Sequence, residues 1–414
     1  MEKRTLYLKT WEALAADKSM IFMAGPRQSG KTTLARIIAV GFTNSLYCNW
    51  DIPDHRTRLL DNPAFFTTLA RSDASKPLII FDEIHKYRDW KNYLKGVYDQ
   101  FGADYQFLVT GSGRLDLYQK GGDSLAGRYL MFNLWPFTIG ELASSARSLE
   151  DFLADPLAVS LVMDGNRQAI WERLETLGGF PEPYLSGKPA SYRRWSNAYS
   201  QRLIREDIRE LTDIRSVTDI ETLYYLLPSK VGSPLSIPSL AGDLKVSYNT
   251  VQSWLAIFER FFLTFSIPTW TDRISRAIQK ERKVYILDTP RIKDPAARFE
   301  NMVALELWRA VSSWNALGAG EFSLHFIKNK EQHEVDFLIA NERKPFLLIE
   351  CKLNDEQPAK ALLAAQRALR VPAVQLVSTA PGYRTFINDG LPVLLAPACQ
   401  WCAGLPWKYP ARIN

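Results

Sequence analysis

GPRQSGKT, residues Gly25–Thr32, satisfies G-x-x-x-x-G-K-[ST] in full. The apolar run SMIFMAG (19–25) enters it, and TTLARIIAV (32–40) leaves it with helical periodicity. That strand–loop–helix context separates a phosphate-cradling loop from a chance string. The two glycines let the backbone curl so that successive N–H groups point inward at phosphate oxygens, and the start of the helix adds positive potential at the same spot. Gly25, Pro26, Arg27, Gln28, Ser29, Gly30, Lys31, Thr32 and Thr33 are therefore expected to line a nucleotide site. Lys31 is expected to reach the β- and γ-phosphates as a point charge, and the Thr32 hydroxyl to ligate Mg²⁺. The alternative is a glycine-rich strand–helix turn with no ligand.

Such a loop needs an acidic partner at the tip of a buried strand. PLIIFDE (77–83) supplies it: Pro77 opens the strand, four apolar residues form its core, and Asp82 emerges at the C-terminal edge, where ligands of such sheets bind. Asp82 is expected to hold Mg²⁺ through a water, and Glu83 to polarise the attacking water. SLYCNWD (45–51) intervenes, pointing to the branch of these proteins that inserts an extra strand between loop and acidic strand. YQFLVTGS (105–112) and RYLMFNL (128–134) complete five short apolar runs separated by helical stretches, the pattern of a doubly wound parallel sheet. Thr110 and Ser112 are candidates to sense the γ-phosphate. Arg128 is a candidate to pair with phosphate in cis or in trans, or else a salt-bridged structural arginine.

At 414 residues the chain is long enough for about three domains. Its 46% hydrophobic and 23% charged residues exclude disorder as the main state. No apolar run approaches the ~18 residues that span a bilayer, and MEKRTLYLKTWEALAADK lacks the apolar core of a secretion signal. Four cysteines cannot staple a chain of this length, which fits a cytoplasmic location. Cys399 and Cys402 form a C-x-x-C without a second ligand pair, so CQWC is expected to be C-terminal coil. A net charge of +6 permits a nucleic-acid partner without demanding one.

Beyond residue 147 helical periodicity takes over as far as about 228, with GGFPEP (178–183) as punctuation. SIPSLAGDLKVSYNTVQSWLAIFERFF then reads as helix, turn, helix: Ser236 caps, Pro238 lies just inside, KVS turns, and Val251, Leu255, Phe258 and Phe262 form the apolar stripe. LTFSIPTW and KVYIL supply two wing strands. Between them TDRISRAIQKERK (271–283) holds five basic and two acidic residues, suited to tracking DNA phosphates while Tyr248, Asn249 and Gln252 approach a groove. The alternative is an inter-domain packing module.

In the last segment EVDFLI places Asp336 on one strand, and LLIECKL places Glu350 and Lys352 on one face of the next, since side chains alternate with period two. Glu300 lies on the helix RFENMVALELW, and Gln366 on a later helix is a possible accessory group. This set resembles the PD-(D/E)xK nuclease constellation. There carboxylates gather Mg²⁺ and the lysine stabilises the charged transition state. The alternative is a nuclease-like domain kept for architecture or DNA binding.

GPRQSGKTTL, DEIHKYRDWKNYLKGVYD, VTGSGR, SLAGRYLMFNLWPFTIGEL, GGFPEP, YSQRLIREDIREL, KVYILDT, EVDFLI and LLIECKL, in this order, resemble the AAA+-related bacterial and archaeal P-loop ATPases with a C-terminal DUF4143 domain. His85 stands where that family often has Gln, and Pro290 where Gly is common. The resemblance implies an α/β protein with four parts: a P-loop NTPase (AAA+-like) core (1–146), a helical extension (147–230), a winged-helix unit (231–290) and a nuclease-like α/β domain (291–414). The expected cofactors are ATP/ADP and Mg²⁺ and the expected partner is DNA, with no membrane partner; a ring, a dimer and a monomer are all compatible with the sequence. The expected function is Mg²⁺-dependent ATP hydrolysis on or with DNA, with a metal-dependent nuclease site. The alternative is a nucleotide-dependent signalling or defence switch that binds a protein, its nuclease-like domain inert.

Overall fold

In the computed structural model of the protein the described residues are 4–112, 125–143, 147–160, 162–208, 217–271, 281–328, 333–354, 357–379 and 381–406. They fall into two compact units, Met1–Pro136 and Phe137–Asn414.

In the first unit the five apolar runs form β1 (Met20–Ala24), β2 (Ser45–Asn49), β3 (Leu78–Asp82), β4 (Gln106–Thr110) and β5 (Leu130–Asn133). All pair in parallel, in the order β2-β3-β4-β1-β5. Strands β1, β3 and β4 are buried along their whole length, which is why they read as unbroken apolar runs rather than alternating ones. Helices α1 (Thr5–Asp17), α2 (Lys31–Val40), α3 (Pro53–Asp61) and α4 (Trp90–Phe101) accompany the sheet. The strand that separates the loop strand from the acidic strand is β4. SLYCNWD, which only intervenes in sequence, lies at the sheet edge beyond β3. Phe66 meets Phe81, Phe101, Tyr105 and Phe107 edge-on, with ring centroids 6.3, 5.1, 5.3 and 5.8 Å away. This aromatic packing supports β3 from beneath and fixes the strand whose tip carries Asp82.

The second unit opens with helices, among them α5 (Gly165–Leu177), α6 (Pro189–Arg202) and α7 (Val217–Leu226). A helix–turn–helix follows, α8 (Ile237–Leu244) and α9 (Tyr248–Arg260), then the antiparallel strands β6 (Thr264–Pro268) and β7 (Arg282–Ile286). Ser236 caps α8 by accepting from the Ser239 amide, and Ser247 caps α9 by accepting from the Thr250 amide. Lys245 makes the turn in the left-handed conformation at φ 55°. The stripe α9 buries is Val251, Trp254, Ile257 and Phe258; the expected Leu255 lies only partly buried at its margin, and Phe262 falls beyond the helix. Residues 272–280 of the basic wing segment lie outside the described residues.

Helix α10 (Pro295–Ala316) leads into a mixed six-stranded sheet of order β12-β13-β11-β10-β9-β8. Its strands are β8 (Phe322–Lys328), β9 (Glu334–Asn341), β10 (Lys344–Lys352), β11 (Ala373–Val377), β12 (Arg384–Asn388) and β13 (Leu391–Pro397), with α11 (Lys360–Leu369) between β10 and β11. The last hairpin extends the small α/β domain past the strands read from sequence. CQWC is not coil: it lies on the buried helix α12 (Ala398–Ala403), its cysteines free thiols. Burial pushes the Cys399 thiol up to about 11 and raises the Cys402 thiol as well.

Candidate functional site

Gly25 sits at φ 148°, and a Cβ there would stand 2.3 Å from the Leu134 carbonyl oxygen, so only glycine lets the end of β1 pass the chain leaving β5. Gly30 (φ 98°) and Gln28 (φ 60°) also adopt positive φ, turning the loop before α2 begins at Lys31. A residue that motif reading misses fastens this curl. Arg4, buried just ahead of α1, donates to the carbonyls of Ser29 (2.8 Å) and Trp135 (2.6 Å). No sequence signal marks it, because it lies far upstream of the motif.

Lys31 is buried and folds back on the loop, its Nζ 3.0 Å from the Gly25 carbonyl and 2.8 Å from that of Pro26. Burial pushes its ammonium down to about 8, against the pull of Glu83 and Asp82. The sign of the pH dependence follows. Phosphate binding requires the charged form, and the nucleotide-free loop loses that form as pH rises through about 8. Affinity for ATP is therefore expected to be level on the acid side and to fall by about tenfold for each pH unit above that point. Titration with a fluorescent ATP analogue across this range checks it; a level profile through about two units above it contradicts the assignment.

The tips of β2, β3 and β4 converge on the carboxylate of Asp82, which is buried. It accepts from the hydroxyls of Thr32 (2.8 Å), Tyr47 (2.5 Å) and Thr110, and from the Asn49 amide (3.3 Å). Asn49 and Thr110 stand in register with Asp82 on either side, so strand pairing alone delivers both. Tyr47 and Asn49 were not foreseen, although they lie two residues apart on β2 and so share a face. Burial, with the bond to Asp82, pushes the Tyr47 phenol up to about 12, keeping it a donor. The Thr32 hydroxyl and the Asp82 carboxylate are both hard oxygen donors within contact of each other, and this pair fits Mg²⁺. Thr32 would hold the ion directly and Asp82 through water; bound there, it would neutralise phosphate charge.

Glu83 follows in the left-handed conformation at φ 57°, its amide donating to the Thr110 carbonyl at 3.1 Å. Its carboxylate lies 3.6 Å from Lys86. Burial pushes its carboxyl up, while Lys31 and Lys86 pull the other way. Ser112, also buried, lies just past β4 on the same edge, but Thr110 is the residue that touches Asp82. Arg128 is not brought to the loop. It precedes β5, at the opposite edge of a wholly parallel sheet, and forms a two-pronged pair with Asp99 of α4 at 2.7 and 3.0 Å.

In the second unit Glu300, Asp336, Glu350 and Lys352 do come together. Glu350 Oε2 lies 3.4 Å from the Asp336 amide, the Cys351 amide donates to Asp336 at 2.9 Å, and Lys352 pairs with Glu350 at 2.7 Å. Glu300 joins through Lys283, whose Nζ stands 3.0 Å from Glu300, 3.4 Å from Asp336 and 2.5 Å from Glu334. Tyr285 also donates to Glu300, at 2.8 Å. Gln366 takes no part: it donates to the Pro392 carbonyl and accepts from Asn388. Among the described residues no group of three His, Cys, Asp or Glu side chains is arranged to hold a metal ion. The ammonium of Lys283 already stands against Glu300, Asp336 and Glu334, so this donor set, holding a cation of its own, does not fit a Mg²⁺ ion there.

The parallel sheet, the loop and the acidic strand define a P-loop domain of the AAA type. Residues 17–143 match the model of an AAA domain family, residues 168–290 a domain of unknown function (DUF8612), and residues 296–395 another (DUF4143). The chain thus carries an AAA domain ahead of a C-terminal DUF4143 domain. It is similar to an uncharacterized protein of Mycobacterium tuberculosis, 25% identical over 272 residues that make up 65% of this chain and 54% of the other. It therefore spans about half the length of that relative. An uncharacterized protein of Methanocaldococcus jannaschii is 24% identical over 359 residues, 84% of this chain and 78% of the other. Among solved structures, a Walker-type ATPase of Pyrococcus abyssi superposes with a TM-score of 0.42 and 15% identity, over 70% of this chain and 93% of the other. No helix among the described residues is long and apolar enough to cross a membrane.

Proposed function

We propose that the chain hydrolyses ATP to ADP and phosphate with Mg²⁺ at the loop of the first unit, and that it does so in concert with DNA. One observation carries the first part: Lys31, Thr32, Asp82 and Glu83 meet at the edge of the sheet where the helix α2 begins. The loop amides and Lys31 hold the phosphates, the Thr32–Asp82 pair positions the metal, and Glu83 takes a proton from the attacking water. In this reading an arginine of a second copy, in a dimer or ring, takes the place that Arg128, paired with Asp99, does not fill.

The DNA part rests on the helix–turn–helix and hairpin. Tyr248, Asn249 and Gln252 are exposed on the first turns of α9, the positions from which such a helix reads a groove. Tyr248 and Gln252 border an open cleft of about 730 Å³ that is also lined by Ser266, Arg282 and Val284 of the hairpin. A phosphodiesterase role for the C-terminal centre is not part of this reading, because Lys283 takes the place of the metal. That same closure favours a second reading, a nucleotide switch with a protein partner.

ATPase rates measured with single-stranded, double-stranded and branched DNA separate the two. The DNA reading expects stimulation that fades steeply as salt rises, because phosphate contacts release counterions. Turnover indifferent to every DNA, with ADP retained, rejects it in favour of the switch.

A further inference from the structure

We propose that Lys283 permanently replaces the metal ion in the nuclease-like centre, so that the DUF4143 domain binds no divalent cation there and its former catalytic carboxylates instead anchor the wing hairpin. Lys283 belongs to β7, a wing strand, whereas Asp336 and Glu334 lie on β9 and Glu300 on α10. Its side chain is wholly buried, while those of Glu300, Asp336 and Glu334 are 13, 14 and 26% exposed. The ammonium is therefore the inner partner, held against one oxygen of each of the three carboxylates. Tyr285, two residues on and hence on the same face of β7, binds Glu300 as well, so the hairpin has two ties to this centre.

The charges agree with a centre complete without a metal. Burial pulls the Lys283 ammonium down, but Glu300, Asp336 and Glu334 more than offset it and hold it above the ordinary lysine range. Burial and the neighbouring Asp336 push the carboxyls of Glu300 and Glu350 up. Lys352, the lysine of the nuclease pattern, is engaged with Glu350 and adds a second positive charge. A metal ion bound by Glu300 and Asp336 would compete with Lys283 for their oxygens.

The experiment is Mn²⁺ binding by electron paramagnetic resonance on the full chain without nucleotide, with melting temperatures and DNA cleavage measured on the same preparations. The wild type, Lys283→Met, Asp336→Asn and Glu300→Gln are compared. The expected result is that wild type and Asp336→Asn give the same Mn²⁺ signal and neither cleaves DNA. Lys283→Met, which keeps the length and removes the charge, is expected to melt lower, to gain one bound Mn²⁺ per chain and to recover stability when Mn²⁺ is added. Glu300→Gln is expected to lower the melting temperature without changing Mn²⁺ binding, which keeps the idea testable if Lys283→Met does not fold. Wild-type Mn²⁺ binding or cleavage that disappears in Asp336→Asn overturns the proposal. So does an unchanged melting temperature in both Lys283→Met and Glu300→Gln.

Discussion

Lys31→Ala abolishes ATP binding and leaves the fold intact: this is the largest effect expected of any single change in the first unit. The lysine is the cation that the loop directs at the phosphates, and it stands in a buried setting where little water screens it. Removing one partner of such a charge pair costs about 3–5 kcal/mol, a loss of roughly two to four orders of magnitude in affinity. The fold has less to lose. Without nucleotide the ammonium only closes back on the Gly25 and Pro26 carbonyls, and its own burial is unfavourable. Alanine at the first position of α2 is a good helix former, so stability should change by about 1 kcal/mol or less. Calorimetric titration with ATP and a thermal melt check both halves. Undiminished affinity in the variant refutes the site; collapse of the melt assigns Lys31 a structural role instead.

What could be read in the sequence was what depends on local pattern. Five apolar runs gave five parallel strands, and G-x-x-x-x-G-K-[ST] with a following Asp-Glu located the loop and its acidic partner. Their spatial order could not be read, because pairing is a tertiary choice: β4 rather than SLYCNWD entered between loop strand and acidic strand. Tyr47 and Asn49 escaped for the same reason, since they reach Asp82 only through the register of β2 on β3. Arg128 carries no local signal that separates a phosphate partner from a salt-bridged structural arginine; the direction of the strand that follows it takes it to the far edge, where it pairs with Asp99. Lys283 is the most instructive miss. It is one of the five basic residues of the segment expected to track DNA phosphates, yet period two on RKVYI puts it on one face with Tyr285, and that face is turned inward. Charge totals describe a segment; burial decides the role of each residue within it.

Glu83→Gln should leave ATP bound and slow its hydrolysis by about 10²–10⁴-fold, the usual span for loss of a positioned general base. Glutamine keeps the size and the hydrogen-bonding reach of the side chain but cannot accept the proton of the attacking water. Nothing that Glu83 contributes through its backbone is disturbed, including the left-handed turn and the amide bond to the Thr110 carbonyl. Nor should the fold suffer: burial disfavours the charged carboxylate, and the neutral amide relieves that cost. The pH profile of turnover gives a second readout. Because burial raises the Glu83 carboxyl above its ordinary value, the wild-type rate should fall on the acid side as the base takes up a proton, beginning nearer neutrality than for an exposed glutamate. Glutamine does not titrate, so the residual rate of the variant should lack that acid limb. Single-turnover hydrolysis measured across pH, beside equilibrium ATP binding, decides the matter. A rate within a few-fold of wild type, or an acid limb that persists in Glu83→Gln, takes the role of base away from Glu83, whereas a parallel loss of binding makes it a residue that shapes the loop.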